Sequence, residues 1–269
     1  MPLYVFCGRH LLVTYLRPAN IDGAKHRRAI LKLLVQRFRR PWPNVRIIFR
    51  GDSGLGRWRL RRWCDKHDVG YLIGLARKAV LKRLARPWTE TSAAPFAQTN
   101  EKQRLLGEFV YGAETWDRPR RVLVKAEHLD EGPHTRFLVT NLTGAPQPLY
   151  EEVYGQRGNA ENRIKEQQLG LFADRTSCHD FVANQFRVLL SAAAYLLVDS
   201  LRRQALGDTE LAHAQVDTIR LKLLKIGARV VCSVRRVVIH LAEGYPLKDL
   251  FAHLLGRLRA LPVRGPASG

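Results

Sequence analysis

Short β-prone runs alternate with amphipathic helical stretches near the start of the chain, and this alternation constrains the fold more than any other feature. Residues 3–7 and 10–16 are two apolar runs separated by Gly8 and Arg9, a pattern typical of a β-hairpin with Gly8 in the turn. Asp22 is then expected to cap a helix over residues 23–40, whose apolar stripe would face a core and whose opposite face is basic.

A second set of elements follows directly. Residues 45–50 form a short β-rich run, residues 57–67 form a basic helix, and residues 69–75 form another apolar strand. The order β-β-α-β-α-β predicts an α/β core in which the later strands are parallel.

The middle of the chain changes in composition. Residues 87–100 are rich in Pro, Ser, Thr and Ala and predict a linker. Three β-like runs separated by turn residues then predict a strand-rich insertion, at 105–112, 120–126 and 135–140.

The remainder is mostly helical. A helix over residues 179–204 is predicted to be a core helix through one apolar side, formed by Phe186, Leu189, Leu190, Ala193, Ala194, Leu197 and Leu201. The tail adds a basic helix at 210–226, two short β-like runs at 229–234 and 237–241, and an amphipathic helix at 246–260.

The net charge indicates a polyanionic partner. Lys and Arg number 45 against 24 Asp and Glu, a formal charge of +21, which favours nucleic acid or an anionic membrane surface. No apolar run reaches the roughly 20 residues of a membrane span, so no membrane partner is expected. The four cysteines are scattered, which disfavours a zinc site and favours a reduced cytoplasmic compartment. No secretory leader is predicted.

The helical stretch from Glu151 to Leu169 carries its charged residues at helical spacing. With Tyr154 as the reference and a rotation of about 100° per residue, Arg157 lies near ~300°, Glu161 near ~340° and Lys165 near ~20°. One tyrosine, two cations and one carboxylate therefore share a stripe that could bind a metal ion and a phosphate backbone. The alternative is a solvated helix face with a Glu161–Lys165 pair.

Asp52 is the second acidic candidate, in the Gly51-Asp52-Ser53-Gly54 turn after a strand, where functional groups of α/β sheets collect. Mg²⁺ prefers carboxylate oxygens, and a pair of such ions can activate an attacking oxygen and stabilise a leaving one in phosphoryl transfer. Asp52 and Glu161 could therefore share a divalent cation. The alternatives are a turn-forming Asp52 and a Ser53 nucleophile, which would need a histidine base.

Three motifs carry a resemblance to a known family: Arg50-Gly51-Asp52-Ser53-Gly54, Tyr71-Leu-Ile-Gly-Leu-Ala-Arg77 and Tyr154-x-x-Arg157-x-x-x-Glu161. They resemble bacterial insertion-sequence transposases of the DDE type with a Tyr-Arg-Glu-Lys signature. The resemblance implies a ribonuclease-H-like core with a β-rich insertion before the last catalytic helix; the tail adds a small α+β region. It also implies Asp52 and Glu161 as catalytic ligands of Mg²⁺ or Mn²⁺, and Tyr154 and Arg157 as contacts to transposon-end DNA.

With this resemblance, the predicted domains are a first core part at 1–86, a linker and β-rich insertion at 87–148, a second core part with Glu161 at 149–205, and a basic region at 206–269. The expected partner is double-stranded DNA, both transposon ends and target, in the bacterial nucleoid, with the chain as a homodimer on paired ends.

The chain departs from the family pattern in two places. The family's first catalytic aspartate lies on a strand before the run that begins at Leu3, so a truncated and catalytically incomplete copy is expected. The position of the signature lysine is Gln168, and Lys165 is expected to take over its phosphate contact. The alternative function is a non-catalytic DNA-binding remnant, whose binding would weaken steeply with salt.

Overall fold

The structure is a computed structural model, and it describes residues 2–22, 25–99, 101–129 and 132–262. The chain divides into two compact units. We call Asn20–Gly158 the central unit, and Met1–Ala19 together with Asn159–Gly269 the split unit.

In chain order the strands are β1 (Pro2–Cys7), β2 (His10–Leu16), β3 (Ile48–Gly51), β4 (Gly70–Leu75), β5 (Gln103–Tyr111), β6 (Arg120–Leu129), β7 (Gly132–Thr140), β8 (Ala228–Cys232) and β9 (Val237–Leu241). The α-helices are α1 (Arg27–Arg39), α2 (Trp58–Lys66), α3 (Ala79–Leu84), α4 (Arg86–Thr99), α5 (Pro146–Pro148), α6 (Gly158–Lys165), α7 (Phe181–Ala205), α8 (Val216–Ile219) and α9 (Lys248–Arg259).

A mixed five-stranded sheet, in the order β3-β4-β7-β6-β5, forms the framework of the central unit. β3 and β4 are parallel, as the sequence predicts, with Gly51 opposite Ile73. The other neighbouring strands are antiparallel. The three runs predicted as strands between residues 105 and 140 are confirmed, and they extend the same sheet as β3 and β4.

Strand β4 is buried on both faces of this sheet, as an apolar strand in an α/β layer structure should be. Tyr71 and Ile73 belong to a core that includes buried residues of α1, α2 and α3. Leu72 belongs to a second core with Leu149 and Tyr150, which begin the long helical stretch after β7. Strand β3, which ends directly before Asp52, therefore pairs with β4, one of the most completely buried strands of the unit.

The segment predicted as a linker over residues 87–100 forms helix α4 as far as Thr99, so that prediction is wrong; residue 100 lies outside the described residues. Trp88 packs so closely on β5 that a Cβ atom at Gly107 would lie 1.9 Å from its Nε1 atom. The hydroxyl of Ser92 lies 3.0 Å from Nδ1 of His128 on β6. These contacts with the sheet stabilise a helix that composition alone does not indicate.

The predicted role of Asp22 as a helix cap is also wrong. Helix α1 begins at Arg27 with His26 in the capping position, and no side chain caps it. The Asp22 carboxylate instead accepts hydrogen bonds from Nη2 of Arg57 at 3.0 Å to each oxygen. The apolar stripe of α1 is confirmed, since Leu31 and Val35 are buried. The carboxylate is therefore bound by a guanidinium that lies 35 residues further along the chain.

The N-terminal hairpin of the split unit is confirmed: β1 and β2 are antiparallel, and Gly8 has a φ angle of +56° in the turn. The ring of Phe6 packs edge-on against Tyr195 of α7, with centroids 6.1 Å apart. The two short strands of the tail and its last helix are also confirmed as β8, β9 and α9. The predicted helix at 210–226 is shorter, because helical structure covers Val216–Ile219 and a π-helical turn over Arg220–Leu224.

Helix α7 is confirmed as a helix, but the side predicted to face the core is exposed. Phe186, Leu190 and Leu197 are 60%, 54% and 72% exposed. The buried face contains Val188, Tyr195 and Val198 together with polar residues. Those polar side chains, Asn184, Asp199 and Arg202, find partners inside the unit. These partners offset the free-energy cost of taking the polar side chains out of water.

Helix α7 is also long and apolar enough to cross a membrane, with a mean hydropathy of 1.5 over 18 residues, a third of which are buried. Counting consecutive apolar residues does not detect it, because single polar residues interrupt the run. A lone helix of this kind is weak evidence of a membrane span, since core helices of soluble domains share its composition.

Glu127 on β6 is expected to make the stability of the central unit sensitive to acid. Its side chain is 5% exposed and pairs with Nζ of Lys125 at 2.6 Å, Nζ of Lys102 at 3.3 Å and Nε of Arg104 at 3.0 Å. Burial alone would raise the pKa of Glu127, but hydrogen bonds and charge from these three cations outweigh burial and lower the pKa from 4.5 to about 2.

Because the folded-state pKa is lowered, this stabilisation is present above pH 4.5 and is lost as the pH falls toward about 2. We expect the free energy of unfolding to drop by roughly 2 to 3 kcal/mol over that range on account of Glu127. Tryptophan fluorescence reports this unit, because all 5 tryptophans lie within it. A Glu127→Gln variant should lack this part of the acid dependence, and an unchanged acid dependence in that variant would contradict the assignment.

Candidate active site

Asp52 follows β3 directly, at the carboxyl end of the parallel β3–β4 pair. Its backbone is extended, with φ −76° and ψ 179°, and a short 3-10 turn over Ser53–Leu55 begins after it. The side chain is exposed and does not cap that turn. Among the residues that the structure describes, the Asp52 carboxylate makes no hydrogen bond and no ion pair. The turn-forming alternative for Asp52 therefore has no capping bond to support it.

Gly74 on β4 allows the turn after Asp52 to pack against the sheet. A Cβ atom at Gly74 would lie 2.9 Å from the backbone nitrogen of Ser53 and 3.5 Å from the hydroxyl oxygen of Tyr154. A side chain at this position would displace the backbone after Asp52, whereas it would only touch the Tyr154 hydroxyl at ordinary van der Waals distance. The backbone after Asp52 and the phenol of Tyr154 therefore approach the same glycine from within the central unit.

Two arginines bind the loop that follows Asp52. Arg27 donates to the carbonyl oxygen of Gly54. Arg61, which is fully buried, donates to the carbonyl oxygen of Gly56 at 2.5 Å and lies over the Trp116 ring, 4.0 Å from its centroid. Burial lowers the pKa of Arg61 to about 10, which still leaves its guanidinium charged at neutral pH. These bonds fix the loop through its backbone carbonyl groups, and the Asp52 side chain stays exposed to solvent.

The sheet also holds the first part of the long helical stretch. Nη1 of Arg50 on β3 donates to the carbonyl oxygen of Val153 at 2.7 Å and to Oε1 of Gln156 at 3.1 Å. Nη1 of Arg104 on β5 pairs with Oε1 of Glu151 at 3.0 Å. Through Arg50, the strand that precedes Asp52 is bonded to the residues on either side of Tyr154.

The helical stretch predicted from Glu151 to Leu169 is confirmed as part of a longer one, from residue 146 to residue 170, but it is not a uniform α-helix. After α5 it forms a π-helical segment over Leu149–Tyr154, a 3-10 turn over Gly155–Arg157, then α6, and a second π-helical segment over Glu166–Gly170. These helix types advance by different angles per residue. The predicted stripe of Tyr154, Arg157, Glu161 and Lys165 assumed a rotation of about 100° for every residue. The angles calculated for it are therefore wrong in detail.

Tyr154 and Arg157 are half-buried neighbours on this stretch, with the guanidinium carbon of Arg157 6.0 Å from the centroid of the Tyr154 ring. Glu161 lies in the first turn of α6 and Lys165 at its end, and both are exposed. The structure thus brings Asp52, Tyr154 and Arg157 into the central unit, whereas Glu161 and Lys165 belong to the split unit. The pairing of Asp52 with Glu161 stays a prediction.

Within the described ranges, no three His, Cys, Asp or Glu side chains come together as a metal-binding cluster. The chemistry of Asp52 nevertheless suits a hard cation, because an exposed carboxylate without a protein partner can offer both oxygens to Mg²⁺ or Mn²⁺.

Sequence reasoning did not assign roles to Arg50, Gly74 or Arg61. Arg50 and Gly74 lie inside the motifs that carry the family resemblance, so the sequence marked them as candidates. Their roles were not predictable, because Arg50 contacts Val153 and Gly74 lies near Tyr154, each more than 75 residues away in the chain. Arg61 had no signal beyond its place in a basic helix, where a buried guanidinium is unexpected.

The chain was compared with protein families and with curated proteins. A comparison with curated proteins found no match. The family described as transposase DDE domain group 1 matches residues 1–263, nearly the whole chain. Because this match covers far more than half of the chain, it shows that the chain belongs to the DDE transposase family.

Proposed function

We propose that this chain carries out metal-dependent phosphoryl transfer on double-stranded DNA at the ends of an insertion sequence, with Asp52 and Glu161 as carboxylate ligands of Mg²⁺ or Mn²⁺. The observation that carries the proposal is the position of Asp52. Its unpaired carboxylate follows β3, next to the Gly74 position that the Tyr154 hydroxyl also approaches.

The residues around Asp52 suit a phosphodiester substrate. When bound, a divalent cation supplies Lewis-acid stabilisation of phosphoryl oxygens and lowers the pKa of an attacking hydroxyl. The Tyr154 hydroxyl and the Arg157 guanidinium would contact the DNA backbone, where charge-assisted hydrogen bonds are strong. Lys165, exposed at the end of α6, would add a further phosphate contact in place of the signature lysine.

The proposal includes a ribonuclease-H-like core interrupted by a β-rich insertion, as in transposases with a Tyr-Arg-Glu-Lys signature. The parallel β3–β4 pair, linked through α2 and with an acid directly after β3, supports this assignment. The core would comprise residues 1–86 and 149–205, the insertion residues 87–148, and the tail residues 206–269. A homodimer would bring two DNA ends together.

A second candidate is binding to DNA without cutting it. It is favoured by the finding that no cluster of three potential metal ligands occurs among the described residues. The net charge of +21 suits both candidates, because phosphate contacts release counterions whatever follows.

The two candidates separate in one experiment. The full chain is incubated with a supercoiled plasmid that contains the DNA flanking its coding sequence, with Mg²⁺, Mn²⁺ or a chelator. We expect nicking at the ends of the element that requires the metal and that Glu161→Gln lowers by on the order of 100-fold or more, since even loss of an outer-shell partner of a metal site costs about 10- to 100-fold. Salt-sensitive binding without metal-dependent nicking would instead support the second candidate.

A further inference from the structure

A cleft of about 520 Å³ lies in the central unit where the beginnings of α1 and α2 meet. We call it the basic cleft, and its charged lining consists of Asp22, Lys25, Arg27, Arg28, Arg57 and Arg59. Among the described lining residues, five cations stand against one carboxylate. Asp22 is bound to Arg57, so the cleft keeps a strong positive charge.

The two helices whose first residues line the basic cleft begin without the side-chain caps or acidic residues that usually stabilise a helix start. Helix α1 has His26 in its capping position and α2 has Arg57, and neither helix has a side-chain cap or an acidic residue in its first turn. Arg28 and Arg59 each occupy the second position of their helix. The backbone N–H groups at a helix start attract anions, and a cation there opposes the helix dipole.

The cations of the basic cleft differ in whether they form hydrogen bonds or ion pairs with other residues of the protein. Arg57 binds Asp22, and Arg27 donates to the Gly54 carbonyl. Within the part of the chain that the structure describes, the side chains of Lys25, Arg28 and Arg59 make no hydrogen bond or ion pair. The guanidinium carbon of Arg59 lies 5.5 Å from the centroid of the Trp58 ring. All three are exposed. Exposed cations beside two uncapped helix starts are suited to binding an anion.

The bond from Arg27 to Gly54 joins the basic cleft to the loop after Asp52. An anion in the cleft would thus lie beside the strand end that holds the candidate metal ligand. The repeated anion close to a phosphoryl-transfer centre on DNA is the phosphodiester backbone, which exposed Arg and Lys bind without reading bases.

We propose that the basic cleft binds a backbone phosphate of the DNA substrate through Arg28, Arg59 and Lys25, and so positions the strand beside Asp52. This inference rests on the proposed function, because it requires DNA as the ligand. It adds a binding site outside the residues that the family signature marks.

The test compares Arg28→Ala/Arg59→Ala with Arg37→Ala/Arg40→Ala in the full chain. The control removes two exposed arginines at the other end of α1. Arg37 and Arg40 lie roughly 14 and 18 Å from Arg28 along the helix, and both distances exceed the Debye length of about 8 Å in physiological salt. Affinity for a labelled duplex is measured by fluorescence anisotropy at several KCl concentrations.

We expect the Arg28→Ala/Arg59→Ala variant to bind the duplex about ten-fold more weakly for each lost contact, with a salt slope smaller by about one per phosphate contact. The control should keep the slope of the unaltered chain. Equal losses in both variants, or none in the first, would overturn the proposal while leaving DNA chemistry at Asp52 intact.

Thermal unfolding without DNA excludes a purely structural role. Removing cations from two helix starts should leave the melting temperature unchanged or raise it, whereas a lower melting temperature that accounts for the weaker binding would overturn the proposal.

Inorganic phosphate and anionic lipid vesicles serve as competitors. Tighter binding of either than of the duplex would show that the cleft has another ligand. If the unaltered chain did not bind Mn²⁺, that result would contradict the proposed function and would leave the basic cleft as a binding site for DNA phosphate.

Discussion

Replacement of Asp52 by asparagine is expected to lower the affinity of the DNA-bound chain for Mn²⁺ by on the order of 100-fold or more, because loss of a metal ligand costs at least as much as loss of an outer-shell partner. A carboxamide keeps the shape of the side chain but removes the negative charge that a hard cation prefers. Isothermal titration calorimetry with Mn²⁺ measures this directly and does not depend on turnover.

The same substitution should leave stability nearly unchanged, within about 0.5 kcal/mol, because the Asp52 carboxylate has no bonding partner among the described residues. Asp68→Asn is the matched control: Asp68 is another exposed aspartate of the central unit, and asparagine tolerates its positive φ of 48°. Unchanged Mn²⁺ affinity in Asp52→Asn, or an equal loss in Asp68→Asn, would return Asp52 to the role of a turn residue.

The Asp199→Ala variant is expected to lose about 3 to 5 kcal/mol of unfolding free energy in the split unit, the usual consequence of breaking a buried ion pair from one side. The Asp199 side chain is 3% exposed and pairs with Arg202 at 3.1 Å, Arg203 at 3.0 Å and Arg9 at 3.4 Å. Arg202 is itself 6% exposed, and without Asp199 its guanidinium would keep, among the described residues, only the longer ion pair with Glu166, at 3.5 Å. Arg9 lies in the turn of the N-terminal hairpin, and its pairing joins the hairpin to α7.

Far-ultraviolet circular dichroism during chemical denaturation follows this loss, because α7 contributes 25 helical residues to the split unit. Asp208→Ala provides the control, since Asp208 also pairs with an arginine, Arg257 at 3.1 Å, but both side chains are about half exposed. An exposed pair of this kind contributes about 0 to 1 kcal/mol. Similar losses in the two variants would show that the buried position of Asp199 adds nothing to its pairing energy.

Local patterns predicted many of the elements correctly. The hairpin with Gly8 in its turn, the apolar stripe of α1, the parallel β3–β4 pair and the three strands after residue 102 all follow from turn residues and hydrophobic periodicity. These features depend on interactions between near neighbours in the chain. The same is true of the position of Asp52, since a polar turn after an apolar strand places it at the strand end.

Predictions failed where a distant part of the chain decided the outcome. Asp22 has the residue type of a helix cap, but α1 begins only at Arg27 and the Asp22 carboxylate pairs with Arg57. Residues 87–100 have the composition of a linker, but residues 86–99 form α4, in which Trp88 packs on Gly107 of the sheet. On α7 the apolar stripe with Phe186 is exposed, because Asp199 and Arg202 neutralise each other inside the unit and allow the polar face to be buried.

The amino-acid sequence by itself determined that this chain forms an α/β fold, that Asp52 ends a strand, and that the helical stretch with Tyr154, Arg157 and Glu161 follows the last strand of the sheet. Periodicity and turn chemistry act over a few residues, so they can be recognised in the sequence. Only the tertiary structure decided that Arg50 bonds β3 to the backbone next to Tyr154, that Gly74 admits the turn after Asp52, and that uncapped starts of α1 and α2 meet in a basic cleft. Those contacts join residues far apart in the chain, and side-chain packing and charge pairing select them only when the chain is folded.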